Sequence, residues 1–214
     1  MCWNARVSLI TFLTSVAMCV YLWRRNLGND KPLALWIGWF ASMQLYEFFM
    51  WRDMKHHTIV SKISLVSILL QPFVLAAALL YYNKYVSIDK VILISISLLS
   101  LIKAGSAFIY AFFIDKHKEW LSITGPNCHL RWWFCINENL LPKITHFDPS
   151  YFLPLFFAGL VGIKPLSHGF LYALFGAVAY YLTKRFYPLE LNSLWCWIAN
   201  LLAILAIALP YFKI

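Results

Sequence analysis

Long apolar runs follow one another along most of the chain and are separated by short polar turns. A helix needs about 20 apolar residues to cross a hydrocarbon core about 30 Å thick. Six runs are long enough to do so: Ala5–Trp23, Leu33–Trp51, Ile59–Tyr82, Val91–Ile114, Leu166–Thr183 and Leu191–Phe212. Because the connections between most of them are short, we expect neighbouring helices to be antiparallel.

A seventh apolar run, Tyr151–Ile163, has only 13 residues, which reach about 20 Å as a helix. The preceding Asp148 and Pro149 are typical of a helix start, so the helix could begin there and cross. The run could instead be re-entrant. Lys164-Pro165 separates it from the next span, because a proline disfavours helix at the residue before it. We therefore predict an all-α, polytopic transmembrane helix bundle of seven spans, with six spans as the alternative.

Composition supports a membrane location. The chain is 62% hydrophobic and 13% charged, whereas soluble domains carry about 25% charged residues. These values exclude a disordered chain and an ordinary soluble enzyme. The formal net charge is +9, but basic residues such as Arg24-Arg25 and Lys184-Arg185 flank apolar runs, where they meet lipid phosphates. We predict one integral-membrane domain over residues 1–214, in contact with the lipid bilayer and not with nucleic acid.

One connection is long. Residues 115–150 are rich in aromatic and turn residues, and we predict an ordered interfacial loop between spans four and five. Cys128 and Cys135 lie in this loop. They would form a disulfide if the loop faces an oxidising space, and would otherwise be two free thiols.

Polar residues recur on one face of several spans. In span two, Gln44, Glu47 and Trp51 fall at i, i+3 and i+7, which is one helix face. Comparable stripes are Ser8, Thr11 and Ser15; Ser64, Ser67 and Gln71; Ser100, Lys103, Ser106 and Tyr110; His168, Tyr172, Gly176 and Tyr180; and Asn192, Cys196 and Asn200. Lipid offers no hydrogen bonds, so such faces must meet each other or a cavity. The pattern predicts a bundle with a polar seam.

Glu47 and Lys103 are ionisable and lie within spans. Each would cost about 2.5–3.5 kcal/mol at the bilayer centre on insertion scales, and such residues usually pair or line a wet pocket. Spans two and four run in the same direction, and the two residues differ in depth by about 10 Å along the axis. A direct ion pair would be stretched, with a water or Gln71 as a bridge.

We expect a binding pocket in which Glu47 accepts a proton or cation and Lys103 is its counter-charge or an anion anchor. The pocket residues are Gln44, Glu47, Gln71, Lys103, Ser106 and Tyr110. Trp51 and the Trp132-Trp133 segment would cover its mouth. Two other interpretations stay open: the serines and glutamines hold helices together by hydrogen bonds, and Glu47 reaches the interface from a helix end.

Three segments carry a resemblance to a known family: Met43–Trp51, Gln71-Pro72 and Gly125–Trp133, which reads Gly-Pro-Asn-Cys-His-Leu-Arg-Trp-Trp. Together they resemble an uncharacterised family of small multi-pass membrane proteins of large DNA viruses and protists. Cys128 stands where that pattern has a glycine. The resemblance implies a multi-pass membrane protein and brings no activity, cofactor or catalytic residue with it.

Three functions remain as expectations. The first is a small transporter, channel or ligand-binding bundle that takes a small ion or solute. The second is a structural component of a viral or organellar membrane. The third is an enzyme acting on lipids through two of His129, His146 and His168, which would have to converge with an acid. We predict no cofactor and no metal site, since Cys-x6-Cys is not a zinc spacing. The sequence leaves oligomeric state and orientation open.

Overall fold

A computed structural model describes residues 4–116, 119–133 and 147–212. Its helices are α1 (Ala5–Arg25), α2 (Asp30–Arg52), α3 (Thr58–Leu69), α4 (Gln71–Tyr82), α5 (Ser87–Ile109), α6 (Phe147–Gly162), α7 (Leu166–Phe186), α8 (Leu191–Ala199) and α9 (Leu201–Ala208). A π-helical turn, Tyr110–Ile114, continues α5, and 3-10 turns cover Pro188–Glu190 and Leu209–Tyr211. Strands β1 (Ile123–Thr124) and β2 (Leu130–Arg131) pair antiparallel, with Ile123 opposite Arg131. The predicted all-α class is confirmed.

Each apolar run of the sequence is helical, but two runs that we expected to be continuous are broken. The run over 59–82 bends by 46° between α3 and α4. Pro72 causes this break, because its ring lacks an N–H and crowds the carbonyl four residues earlier. The last run breaks at Asn200, whose side-chain amide donates to the Cys196 carbonyl at 2.7 Å. Such a bond offers the backbone carbonyl an alternative to the helical ladder.

Three helical stretches are long and apolar enough to cross a membrane: Ala5–Arg25, Ile88–Ile114 and Ser193–Tyr211. The bent pair α3–α4 would be a fourth if it is one span. α2 is not among them, although it has 23 residues. It packs against α1, α3, α4, α8 and α9, so much of its surface is covered by protein. The membrane assignment is therefore supported, whereas the number of seven spans stays a prediction.

The helices run between two ends of the bundle. At one end, which we call the Asn29 end, Asn29 donates to the Lys164 carbonyl at 2.6 Å and accepts from Asn83 at 2.9 Å. At the other, the hairpin end, the Ser122 N–H donates to His57 Nε2 at 2.7 Å and the Asn127 N–H donates to Glu190 Oε1 at 2.7 Å. Successive turns of the chain thus alternate between the ends.

The centre of the bundle is built on aromatic side chains of α2. Trp36 and Phe40 are each 1% exposed. The Trp36 ring meets Tyr172 of α7 edge-on at 5.8 Å between centroids, and Phe40 meets Trp195 of α8 at 6.1 Å. Edge-to-face contacts of this kind add to the stabilisation from apolar burial. They fix the positions of α7 and α8 around α2.

A charged clasp closes the Asn29 end. The Arg25 guanidinium makes two hydrogen bonds of 2.8 Å to the Asp30 carboxylate, and Asp30 is 2% exposed. The Arg25 guanidinium also donates to the Ile207 carbonyl at 2.6 Å and to the Ala206 carbonyl at 3.2 Å. These carbonyls belong to the last turns of α9, where a cation is favoured by the helix dipole. One side chain therefore joins α1, α2 and α9.

We predict that Arg25→Gln lowers the free energy of unfolding by about 3 kcal/mol, because it leaves the buried Asp30 carboxylate without its cation. The melting midpoint of the purified protein in detergent measures this. Arg24→Gln is the matched control, since Arg24 is the adjacent arginine and is exposed. Equal midpoints for the two variants would contradict the clasp.

Candidate functional site

The candidate site is centred on the Glu47 carboxyl group, which is 0% exposed. The Trp132 indole N–H donates to Glu47 Oε1 at 3.0 Å, and the Gln44 amide donates to Oε2 at 3.2 Å. The side chain of Ser193 on α8 is a further hydrogen-bonding neighbour of the carboxyl. Three elements thus converge here: α2, the segment after β2, and α8. The shared face of Gln44 and Glu47 follows from their spacing of three residues on α2.

These hydrogen-bonding neighbours are all neutral donors. No ion pair to Glu47 is found among the side chains that the structure describes. An ionised carboxylate out of water costs several kcal/mol unless it is paired or hydrogen-bonded, and hydrogen bonds to a charged group contribute about 1.5–3 kcal/mol each. The donors therefore offset the burial of a charge, and a bound proton or small cation would neutralise it.

Trp132 reaches Glu47 because a hairpin turns the loop back onto the bundle. The turn is Gly125-Pro126-Asn127-Cys128, closed by the Cys128 N–H donating to the Gly125 carbonyl at 3.1 Å. Cys128 has φ 63°, a left-handed conformation that favours glycine. Cys128 is disulfide-bonded, while Cys135, the partner considered from the sequence, lies outside the described residues.

The hairpin is anchored on Glu190, which is 1% exposed. Asn127 donates to Glu190 Oε1, and a Cβ atom at Gly125 would lie 2.2 Å from that same oxygen. No side chain fits at Gly125 unless the glutamate moves. The loop also rests on α3, where the Lys62 ammonium lies 5.3 Å from the Trp120 ring centroid. Trp120 in turn stacks on Trp133 at 4.3 Å, so the described part of the predicted interfacial loop is ordered against the helices.

Gln71 lies at a second polar contact. It is 0% exposed, and its Oε1 accepts a hydrogen bond from the hydroxyl of Tyr151, the residue that begins the seventh apolar run. Gln71 Nε2 and Gln44 Oε1 are both buried and have no hydrogen-bond partner within the described residues. One is a donor and the other an acceptor. Each of these amides therefore keeps one buried hydrogen-bonding atom that no described side chain satisfies.

Lys103 does not pair with Glu47. Its ammonium donates to the Ser150 hydroxyl on α6. The reason is the packing order: α5 lies against α3, α4 and α6, whereas α2 packs on α1, α3, α4, α8 and α9. A direct Glu47–Lys103 ion pair is not found among the described residues, and the bridged arrangement stays a prediction.

Three other predicted pocket residues, Ser106, Tyr110 and Trp51, make no hydrogen bond to Glu47 within the described part of the chain. Ser106 is exposed on α5 and donates to the Ile102 carbonyl of its own helix at 2.9 Å. Tyr110 begins the π-helical turn and is half-buried. The indole N–H of Trp51 is buried without a hydrogen-bond partner among the described residues. The structure thus brings Gln44, Glu47 and Trp132 together and adds Ser193 to them.

Two contributors were not singled out from the sequence. Ser193 lies beside the Asn192, Cys196 and Asn200 stripe but one position away from it, and Tyr151 reads as an interfacial aromatic at the start of a run. A different pair of predicted stripes does meet: the Ser15 hydroxyl donates to Asn200 Oδ1 at 2.9 Å. This contact links α1 to the break between α8 and α9.

The histidines of the enzyme hypothesis are far apart. His129 packs its ring against Tyr187, just past the end of α7, at 6.2 Å between centroids. His168 lies in the first turn of α7 and contacts the Phe212 carbonyl at 3.3 Å. The 21 residues of α7 separate them by about 30 Å, so these two cannot act on one substrate. His146 lies outside the described residues.

Burial of the His129 imidazole lowers its pKa, although the negative charge of the nearby Glu190 acts in the opposite direction.

In the part of the chain that the structure describes, no three His, Cys, Asp or Glu side chains converge to hold a metal ion. Comparison with family models, with curated proteins and with solved structures finds no match.

We predict that Trp132→Phe destabilises the protein by about 1.5–3 kcal/mol, because phenylalanine keeps an apolar ring but removes the donor to a charged acceptor. Trp23→Phe on α1 is the control, since Trp23 is 42% exposed. A double-mutant cycle with Glu47→Gln isolates the contact, because the second change should cost less once the first is present. Additive effects of the two changes would show that the indole does not act through Glu47.

Proposed function

We propose that the protein is a seven-span membrane protein in which Glu47 binds a proton or a small cation, as part of a small transporter, channel or ligand-binding bundle. The observation that carries this proposal is a fully buried carboxyl group whose described hydrogen-bonding neighbours are all neutral. A residue whose only role is to pack helices together would not need an ionisable side chain at this buried position.

The alternation of turns between the two ends supports seven spans. α2 has 23 residues and α7 has 21, which correspond to about 34 Å and 31 Å of helix. Both lengths match a hydrocarbon core of about 30 Å. α6 is shorter, with 16 residues, but it joins the Asn29 end to a start near Lys103. Exposed side chains on α5 and α7 are mostly Leu, Ile, Val and Phe, as a lipid-facing surface requires.

The position of Glu47 supports ion exchange at the hairpin end. It lies five residues before the end of α2, about 8 Å along the axis. The Trp132 segment is what covers it from that end. Because Trp132 itself lies in the non-helical connection after β2, its displacement would open a path to Glu47 while the helices stay packed.

Gln44 supplies a partner for both forms of the carboxyl group. Its Nε2 donates to the carboxylate, while its Oε1 has no hydrogen-bond partner among the described residues. A protonated carboxyl group has an O–H to donate. Rotation of the Gln44 amide by half a turn would bring Oε1 to that proton. The same pair of side chains can thus satisfy the ionised and the neutral state.

We predict that Glu47→Gln abolishes proton- or cation-linked flux while the protein remains folded, because glutamine keeps the shape and loses the exchangeable charge. Purified protein in vesicles with a trapped pH dye, under an imposed gradient of protons, Na⁺ or K⁺, measures this. Glu119→Gln is the control, since Glu119 is exposed in the loop. Flux in Glu47→Gln equal to that of the unmodified protein would overturn the proposal.

A second candidate is a purely structural role, favoured by the Trp132–Glu47 hydrogen bond, which fastens the loop to the bundle. It predicts that Glu47→Gln and Lys103→Met lower the melting midpoint and that no gradient drives flux in any variant. The vesicle assay and the melting curve together distinguish the two, since only the first candidate requires flux in the unmodified protein.

A further inference from the structure

A lateral cleft opens between α6 and α7, away from Glu47. Its volume is about 230 Å³, and it is half-enclosed. Its floor lies deep in the bundle, with Trp36 of α2, Leu75 of α4, Trp195 of α8 and Leu202 of α9. Trp36, Trp195 and Leu202 are at most 2% exposed, so they form the closed floor of the cleft, whereas Phe152, Gly176 and Tyr180 on its walls are half-buried.

Small residues on the two outer helices create the space. Gly159 of α6 and Ala173, Gly176 and Ala177 of α7 lie along the cleft. A Cβ atom at Gly176 would lie 3.8 Å from the Trp195 ring, and one at Gly159 would lie 3.8 Å from the Tyr172 ring. Side chains longer than a methyl group at these positions would therefore occupy the cleft.

The side chains that line the cleft present mainly hydrocarbon groups and aromatic rings. Three polar atoms of the lining, Nε1 of Trp36, Nε1 of Trp195 and the Tyr172 hydroxyl, are buried and have no hydrogen-bond partner among the described residues. They lie behind the accessible surface of the cleft, which is mostly apolar. Burying a hydroxyl or a charge against such a surface costs free energy, which favours an apolar occupant.

The cleft is continuous with the surface that the membrane proposal assigns to lipid. Gly176 lies halfway along α7, and Leu153, which lines the cleft, is 53% exposed. At about 30 Å³ for a group the size of a water molecule, the volume holds roughly seven or eight methylene groups. It is too small for a whole lipid and suits a segment of one chain.

We infer that this cleft binds a single acyl chain of a membrane lipid, inserted laterally near mid-depth between α6 and α7. The inference rests on the membrane location proposed above and not on any role of Glu47. The bound chain covers apolar surface of Phe152 and Tyr180, which line the cleft and are only half-buried. The lipid is thereby held by its tail and not by its headgroup.

The test uses the full-length protein in phosphatidylcholine vesicles that contain a phospholipid with a photoactivatable diazirine near the middle of one acyl chain. After illumination, cross-linked residues are mapped by mass spectrometry. We expect labelling of Phe152 or Tyr180, which line the cleft and are half-buried, as well as labelling of the exposed Leu174 and Val178.

Gly176→Leu should remove the labelling of Phe152 and Tyr180 while that of Val178 persists. Ala177→Leu is a second filling variant in case the first does not fold. Leu174→Phe is the matched control, because it enlarges an exposed side chain of the same helix and leaves the cleft open. Absence of label at Phe152 and Tyr180 in the unmodified protein, or its persistence in a folded filling variant, would overturn the inference. Absence of label at Leu174 and Val178 as well would instead contradict the membrane location.

Discussion

The bundle is organised by the need to satisfy polar groups where water is absent. The Glu47 carboxyl group is the strongest case, because it is fully buried and its charge must be met by protein atoms. Gln44 donates a hydrogen bond to the carboxyl group from the same helix, and Trp132 donates one from the segment after β2. Ser193 approaches the group from α8. The position of the loop, the packing of α8 against α2 and the proposed ion site all depend on these contacts.

The same requirement explains the two ends of the molecule. At the hairpin end, Glu190 accepts a backbone N–H of the turn, and the cation of Lys62 lies against the Trp120 ring. At the Asn29 end, Asn29 and Asn83 link the turns between helices. In both places a side chain of one connection satisfies the backbone or side chain of another. Connections that are short in sequence are thereby held in a fixed arrangement.

Periodicity predicted the helices well because an apolar run of this length has few alternatives in lipid. It also identified Glu47 and Gln44 as residues of one inward face. Periodicity did not predict the surroundings of Lys103 and Ser106, because a polar stripe on one helix does not reveal which neighbouring helix it faces. Their helix, α5, packs against α3, α4 and α6 and not directly on the face of α2 that carries Glu47. Ser106 could have been assigned outward, because its hydroxyl is satisfied by its own helix. The bend before α4 was visible in principle from Pro72, whereas the break at Asn200 depends on a side-chain contact that spacing does not encode.

The Arg25 contacts have a consequence for the order of assembly. The guanidinium and the Asp30 carboxylate are five residues apart, so this part forms as soon as α1 and α2 turn back on each other. Its bond to the Ile207 carbonyl spans 182 residues, and the entropy lost in closing so long a loop must be offset by the contacts that close it. Arg25 therefore satisfies a partner five residues away and a partner 182 residues away at the same time. A single side chain thereby holds the first helical pair against α9.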